Sequence, residues 1–263
     1  MRFAFSTLGV PGLPIAEVVD LAATNGYQGV ELRTHPEEPV HRGLGRRDRA
    51  AVVEEFERAG VEILGVAGYA RVASAEADEE QLRQELTDLL SLARDLGAPF
   101  IRVFPGGGDL PAPEADALAM RRLAGAAEVA ADHGVRILLE THDSHRTGRD
   151  AARVLGPVGH QRVGALWDVM HTWLGGEDPV TTRAILGPHL GYVQVKDIAS
   201  AEDTTPLLLG EGVLPLGECL TLLDEDSWVC WEYEKRWYPQ AEELPALLGR
   251  GRVYLEALAG GYA

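Results

Sequence analysis

Residues 134–140, GVRILLE, place a glycine of the kind that ends helices just before a short apolar run that closes on a carboxylate. A glycine followed by a short apolar run, without the closing carboxylate, recurs at 26–33 (GYQGVELR), at 60–67 (GVEILGVA) and at 97–104 (GAPFIRVF). Each of these glycines follows a stretch with helical spacing of its apolar residues. The repeated order of helix, glycine stop and strand is the feature that decides the fold.

Eight short apolar, β-branched or aromatic runs are predicted as strands, at 2–6, 29–33, 62–67, 100–104, 136–140, 164–168, 191–195 and 228–232. Their starts are 27 to 38 residues apart, so each interval has room for one helix and two loops. Amphipathic patterns indicate helices at 15–25, 49–59, 80–96 and 116–133.

This alternation predicts an α/β fold, a (β/α)8 TIM barrel, and the even spacing without a linker-like break predicts one domain over residues 1–263. An open doubly wound sheet is the alternative. It is less favoured because the first strand–helix turn, TLGVPGLP, lacks the G-x-G-x-x-G pattern of a dinucleotide site.

Charge and hydropathy narrow the class of protein further. The chain has 41 acidic and 24 basic residues, a net charge of −17, which would repel a phosphate backbone, so no nucleic-acid partner is expected. No basic leader with an apolar segment and no membrane-spanning run is seen, which predicts a cytoplasmic protein without a membrane partner. The two cysteines, Cys219 and Cys230, are expected to be reduced core thiols.

Polar side chains close or occupy four successive predicted strands, where active sites of barrels are built. They are Glu140, Asp168, Gln194 and Glu232. Three carboxylates and an amide at one rim would repel one another unless a cation binds them. We therefore expect one divalent metal ion, and an all-oxygen donor set favours Mn²⁺ or Mg²⁺ over Zn²⁺. The alternative is that these are ordinary strand-end residues paired with nearby lysines and arginines.

Five further residues are predicted to bind a substrate: His142, His171, Lys196, Glu31 and Arg236. The histidines come soon after two proposed ligands, and cations beside carboxylates can hold an oxyanion. Solvated loop histidines and surface salt bridges would explain the same residues. The glycine run 106–108 lies in a predicted long loop and could cradle an anion through its amides, although a flexible loop explains it equally well.

In this order the motifs NGYQGVELR, ILLETH, LWDVMH, YVQVKD, LLGEGVLPL and WEYEKRWYP span nearly the whole chain. The sequence thereby resembles the xylose isomerase-like barrel superfamily, in particular the sugar phosphate isomerase/epimerase group that includes ketose 3-epimerases and inosose dehydratases. The resemblance implies one divalent ion, Mn²⁺ or Mg²⁺ with Co²⁺ as an option, on Glu140, Asp168 and Glu232. Gln194 stands where the family usually has a histidine. Glu232 is preferred to Glu234 as the ligand from strand eight.

The resemblance also implies a reaction on a small sugar or polyol. Proton abstraction beside a metal-chelated carbonyl, with Glu140 and Glu232 as the acid/base pair, would give an isomerase or epimerase. A dehydratase acting on an inosose or dehydroshikimate type of substrate is the alternative, with His171 as a proton donor. A sugar-binding barrel whose metal site has decayed at Gln194 is a third reading, and a related nuclease is disfavoured by the net charge of −17. An apolar stripe at 245–258 could serve a homo-oligomer.

Overall fold

A computed structural model describes residues 1–260 of the chain. Its strands are β1 (Arg2–Ser6), β2 (Gly29–Arg33), β3 (Glu62–Arg71), β4 (Phe100–Phe104), β5 (Arg136–Glu140), β6 (Val163–Asp168), β7 (Leu190–Val195) and β8 (Trp228–Trp231). All eight predicted strands are thereby confirmed. They follow one another as β1 to β8 in a closed barrel, and the register pairs that join neighbouring strands are parallel.

The helices are α1 (Ile15–Thr24), α2 (Arg46–Ala59), α3 (Glu79–Leu96), α4 (Ala112–His133), α5 (Gly148–Val158), α6 (Val169–Leu174), α7 (Pro179–Leu186), α8 (Leu216–Thr221) and α9 (Leu244–Gly260). Three of the predicted glycine stops are confirmed: Gly60, Gly97 and Gly134 end α2, α3 and α4 in the left-handed conformation, with φ of 67°, 72° and 71°. None of the helices among residues 1–260 is long and apolar enough to cross a membrane.

Two strand bounds differ from the prediction in ways that affect the site. β3 continues to Arg71, where it pairs with Phe104 after a shift in register. β8 ends at Trp231, so Glu232 is the first residue after the strand rather than its last. The backbone N–H of Glu232 still donates to the carbonyl of Val195, at 2.9 Å, which fixes the direction in which the chain leaves the barrel.

The chain divides into two compact units, one made of residues 1–64 and the residues from Tyr192 onward, the other of residues 65–191. The first unit holds β1, β2, β8 and the part of β7 from Tyr192, and the second holds β4, β5 and β6. Each unit has its own buried apolar core, for example Phe5, Val193 and Val229 in the first and Ile101, Leu138 and Ala165 in the second.

Candidate active site

In the second unit, β5 and β6 bring Glu140 and Asp168 to the same end of two paired strands. Both side chains are buried. Asp168 also begins α6, because its Oδ1 accepts the backbone N–H groups of Met170 at 2.8 Å and His171 at 3.3 Å. This cap fixes the first turn of α6 and with it the position of His171.

Glu140 is held by a buried guanidinium that the sequence analysis did not single out. Arg102 of β4 donates from Nη1 to Glu140 Oε2 at 2.8 Å. Its guanidinium carbon lies 3.8 Å from the ring centre of Phe104 and 5.6 Å from that of Tyr69. The sequence carries one signal for the role of Arg102, which is its charge. An arginine in the middle of the apolar strand FIRVF needs a buried partner.

Two imidazoles complete this cluster. The rings of His142 and His171 have centroids 4.0 Å apart, and Phe104 lies against His142 at 4.6 Å. One ligand atom from each of Glu140, His142 and His171 lies within 4.8 Å of the others. Two imidazole nitrogens and a carboxylate oxygen form a set that binds Zn²⁺ and other divalent transition metals, so these residues fit a divalent metal ion.

The charge on His142 is governed by opposing influences. Burial lowers the pKa of the imidazole, while the hydrogen bond to Asp143 and the carboxylates of Glu140, Asp143 and Asp168 raise it, and the net direction is upward. Burial raises the pKa of the Asp143 carboxyl, but the contact with His142 and the hydrogen bonds from Ser144 lower it. The net result is a pKa well below the usual range of a carboxyl.

The glycine run 106–108 does not present a set of unbonded backbone amides to an anion. This corrects the hypothesis that the run binds an anion. The N–H of Gly106 donates to Asp143 at 3.0 and 3.2 Å, and the N–H of Gly107 donates to Ser144 Oγ at 2.9 Å. The loop is thus attached to the turn that follows β5. An external anion would have to displace these contacts.

In the first unit, the amide of Gln194 lies between two buried carboxylates. Its Nε2 donates to Glu31 at 2.9 and 3.1 Å and to Glu232 at 3.1 Å, and Tyr192 Oη also donates to Glu31. If the oxygen and nitrogen of the Gln194 side-chain amide were exchanged, the oxygen would face both carboxylates and repel them. The contacts therefore determine which way the amide is oriented. Within residues 1–260 the Oε1 atom of Gln194 has no hydrogen-bond partner.

Glu232 makes a second contact, with the buried ammonium of Lys196. Lys196 also donates to Glu234 at 2.7 Å, so one cation lies between the two glutamates that follow β8. Cys230 packs beside this network. Burial raises its pKa well above that of an ordinary thiol, and the carboxylates of Glu31 and Glu232 raise it further. Cys230 is therefore a neutral core thiol, as predicted.

The structure brings most predicted site residues into two groups. Within the second unit Glu140, His142 and His171 lie together, with Asp168 capping the helix that carries His171. Within the first unit the group is Glu31, Gln194, Lys196 and Glu232. Arg236 takes no part in that network, because its guanidinium pairs with Glu37 at 2.6 Å in a partly exposed ion pair.

With this geometry established, comparison with known families identifies the class of protein. Residues 19–256 match the family model described as a xylose isomerase-like TIM barrel. The match covers most of the chain, and the protein belongs to this family. The resemblance inferred from the motifs is thereby confirmed.

The names of individual relatives include two kinds of activity, dehydratase and epimerase. A 3-dehydroshikimate dehydratase of Bacillus anthracis is 27% identical over 196 residues, 72% of this chain and 69% of the relative. The crystal structure of the probable 3-DHS dehydratase AsbF from the same organism superposes with a TM-score of 0.81 at 21% identity, covering 97% of this chain and 99% of that one. D-psicose 3-epimerase, solved in the presence of D-fructose, superposes with a TM-score of 0.83 at 13% identity, covering 99% and 100%.

A further structural neighbour, the IOLI protein solved with a bound zinc atom, has a TM-score of 0.83 at 17% identity over 100% of this chain and 99% of that one. At these identities the three structures establish the fold that the chain shares with them. Within the described residues, Glu140, His142 and His171 form a group that could hold a divalent metal ion.

Proposed function

We propose that the protein is a metal-dependent dehydratase that removes water from a polyhydroxylated cyclic ketone of the dehydroshikimate type. The relative at 27% identity is named a 3-dehydroshikimate dehydratase, which supports this class, while the resemblance of the motifs led us to expect an epimerase. The structural observation that carries it is the buried hydrogen bond between Lys196 and Glu232, because elimination of water needs one acid and one base.

The divalent ion is assigned to the second unit. Glu140, His142 and His171 supply one oxygen and two nitrogen donors, and the hydrogen bond from Arg102 orients Glu140. A bound ion would supply Lewis-acid polarisation of a carbonyl oxygen. With two imidazoles in the donor set, we favour Mn²⁺, Co²⁺ or Zn²⁺ over the Mg²⁺ that the all-oxygen expectation allowed.

Acid and base are assigned to the first unit. Glu232 accepts hydrogen bonds from Gln194 and Lys196, and in this proposal it is the base that removes a proton from a carbon of the substrate. The ammonium of Lys196 gives a proton to the departing hydroxyl, which leaves as water. Glu232 then returns its proton to Lys196 along their hydrogen bond, so the pair is restored and the net change in the substrate is the loss of one water.

The experiment uses the purified chain supplied with Mn²⁺ and 3-dehydroshikimate. Loss of water converts that ring to a dihydroxybenzoate, so turnover is followed by ultraviolet absorbance. We expect Lys196→Met and Glu232→Gln each to reduce kcat by at least about 100-fold. The matched control is Arg83→Met, which removes an exposed cation paired with Glu80 and is expected to leave kcat unchanged.

An epimerase acting on a ketose is the second candidate, because the neighbour D-psicose 3-epimerase was solved with D-fructose. An epimerase needs proton transfer on both faces of one carbon and no leaving group. Epimerisation of D-fructose at C3 without turnover of 3-dehydroshikimate would replace the dehydratase proposal by this one. Binding of either compound without any turnover would favour a sugar-binding barrel.

A further inference from the structure

A groove in the second unit runs between α3 and α4. It forms a cavity of about 470 Å³, which is within the range of cavities that bind small molecules. Its apolar lining consists mainly of Leu82, Leu86 and Leu90, one turn apart on α3, and of Ala126 and Val129 on α4. Eight residues of helix separate Leu82 from Leu90, so the row of leucines is about 12 Å long.

One end of this groove carries an excess of positive charge, although the chain has a net charge of −17. Among residues 1–260, the charged side chains that line the groove are three guanidiniums and two carboxylates, those of Arg83, Arg121, Arg122, Glu79 and Glu80. Arg121 and Arg122 contact Glu79, the first residue of α3, so they lie at the end of the groove where that helix begins. This lining therefore holds one positive charge more than it holds negative charges.

Arg122 is held in place by partners other than its carboxylate. Its side chain is 5% exposed, and its Nη1 donates to the carbonyls of Val72 at 3.0 Å and Ser74 at 2.8 Å. Glu79 accepts from Arg121 and Arg122 at 2.7 Å, but its own side chain is 57% exposed. A buried guanidinium with backbone partners stays oriented when an exposed carboxylate turns into solvent, so the carboxylate of a ligand can take the place of Glu79.

Gly125, in the middle of α4, leaves the groove open. Among residues 1–260, a Cβ atom at this position would meet no atom within 4 Å beyond its chain neighbours and the backbone of its own helix. Glycine inside a helix lowers the stability of that helix, so its presence here has a cost. A larger side chain at Gly125 would occupy the open space of the groove, and its absence leaves that space to a ligand.

We propose that the groove between α3 and α4 binds a small amphipathic carboxylate, with its carboxylate on Arg121 and Arg122 and its alkyl chain along the leucines of α3. An extended alkyl chain of about ten carbons has the length of this row of leucines. The single excess positive charge of the lining matches a monoanion. The inference does not depend on the proposed function, because no residue of the groove belongs to the two groups of the candidate active site.

Calorimetric titration of the purified chain with sodium decanoate, below its micellar concentration, tests the chemistry of the ligand. We expect one decanoate to bind per chain. Decanol lacks the carboxylate and should bind about 10-fold more weakly than decanoate. Hexanoate lacks four methylene groups and should bind about 10- to 100-fold more weakly, because less apolar surface is removed from water.

The variant that tests the location of the site is Gly125→Leu, which places a side chain in the open part of the groove. Leucine favours a helix more than glycine does, so the fold should be retained, and the melting temperature checks this. The matched control is Ala124→Leu, because Ala124 is an exposed neighbour on α4 that is not among the residues lining the groove. We expect decanoate to bind at least about 10-fold more weakly to Gly125→Leu, and within about twofold of wild type to Ala124→Leu.

Equal affinity of Gly125→Leu and wild type for decanoate, or binding of decanol as strong as that of decanoate, would overturn the inference. A groove covered by a second copy of the chain would overturn it as well. In that case the wild type sediments as a dimer, Gly125→Leu dissociates it, and decanoate does not bind. Failure of the proposed function is a separate result, since a chain without dehydratase activity can still bind decanoate in this groove.

Discussion

Arg102 and Glu140 form a buried ion pair, with Nη1 2.8 Å from Oε2 and the two side chains 4% and 1% exposed. The guanidinium is also stacked over the ring of Phe104 at 3.8 Å. A planar cation that both pairs with a carboxylate and stacks on a ring cannot be replaced by a lysine without loss. The candidate metal cluster therefore depends on β4 as well as on β5 and β6.

Arg102→Lys keeps the positive charge and removes the stacked plane, so it tests this dependence. We expect the free energy of unfolding in urea to fall by about 1–2 kcal/mol. The control is Arg94→Lys on the exposed face of α3, where the arginine pairs with Asp95 and the change should stay within about 0.5 kcal/mol. Equal losses in the two variants would contradict a special role for the stacked pair.

Gln194→Glu tests the amide that lies between Glu31 and Glu232. A third carboxylate there loses both donated hydrogen bonds and adds a like charge, so in the presence of a chelator we expect a loss of about 3 kcal/mol or more at neutral pH. The folded-state pKa of the introduced carboxyl would be raised. The penalty should therefore shrink as the pH falls through that pKa and the carboxyl becomes neutral.

The exposed residue Gln161 provides the comparison for this experiment. Gln161→Glu adds the same charge at the surface and should change stability by no more than about 0.5 kcal/mol. A Gln194→Glu protein with wild-type stability at neutral pH would show that the amide does not separate the two carboxylates.

His145 predicts a pH dependence of stability. Burial lowers the pKa of its imidazole, against the opposing effect of Asp116, whose Oδ1 lies 2.9 Å from Nε2, and Arg153 lowers it further. A histidine with a lowered folded-state pKa favours folding fully above its unfolded pKa of about 6.5. That contribution is lost as the pH falls below this value, because the unfolded chain binds the proton more readily.

The measurement compares the melting temperature of wild type and His145→Gln between pH 8 and pH 5. We expect the wild type to lose stability on acidification more steeply than the variant over this window. The control is His160→Gln, at a partly exposed position before β6. Parallel curves for wild type and His145→Gln would show that His145 does not titrate differently in the folded and unfolded states.

Asp197 organises the loop that follows β7. Its buried carboxylate accepts four backbone N–H groups, those of Ile198, Gly210, Gly212 and Leu214, at 2.9 to 3.2 Å. Asp197→Asn turns one acceptor oxygen into a donor that faces backbone donors. We expect a loss of about 2 kcal/mol or more and faster amide hydrogen exchange at Gly210 and Gly212.

Asp203→Asn is the control for the loop, because Asp203 is exposed and accepts from Thr205 in a local turn. In Asp203→Asn the amide hydrogen exchange rates of Gly210 and Gly212 should match those of the wild type. Slow exchange retained in Asp197→Asn would mean that the loop is held by contacts other than this carboxylate.

The fold could be predicted from the sequence because the positions of its strands and helices depend on patterns of neighbouring residues. The apolar runs and the glycines at positions 60, 97 and 134 fix where strands and helices end, and these are properties of neighbouring residues. β3 was predicted to end at residue 67, before Gly68, although the strand continues to Arg71. Its strand conformation comes from pairing with Phe104, a contact that local sequence does not encode.

For the candidate site, the sequence indicated acidic residues at strand ends but not the groups that each of them contacts. The strand ends indicated Glu140, Asp168 and Glu232 as acids near a rim, since that follows from position alone. The sequence analysis did not identify Arg102 or Asp143. Arg102 contacts Glu140, which is distant in sequence, and Asp143 contacts His142 only because of the turn between them. The contacts of Gln194 could not be predicted for the same reason, since its amide nitrogen donates to two carboxylates that are distant in sequence.

The central claim is that Glu140, His142 and His171 bind a divalent metal ion. Its most direct test is calorimetric titration of the metal-free protein with Mn²⁺, repeated on His171→Gln with His160→Gln as the control. We predict binding of about one ion per chain in the wild type and the control, weakened at least about 10-fold in His171→Gln. No binding by the wild type, or equal affinity in all three proteins, would contradict the account.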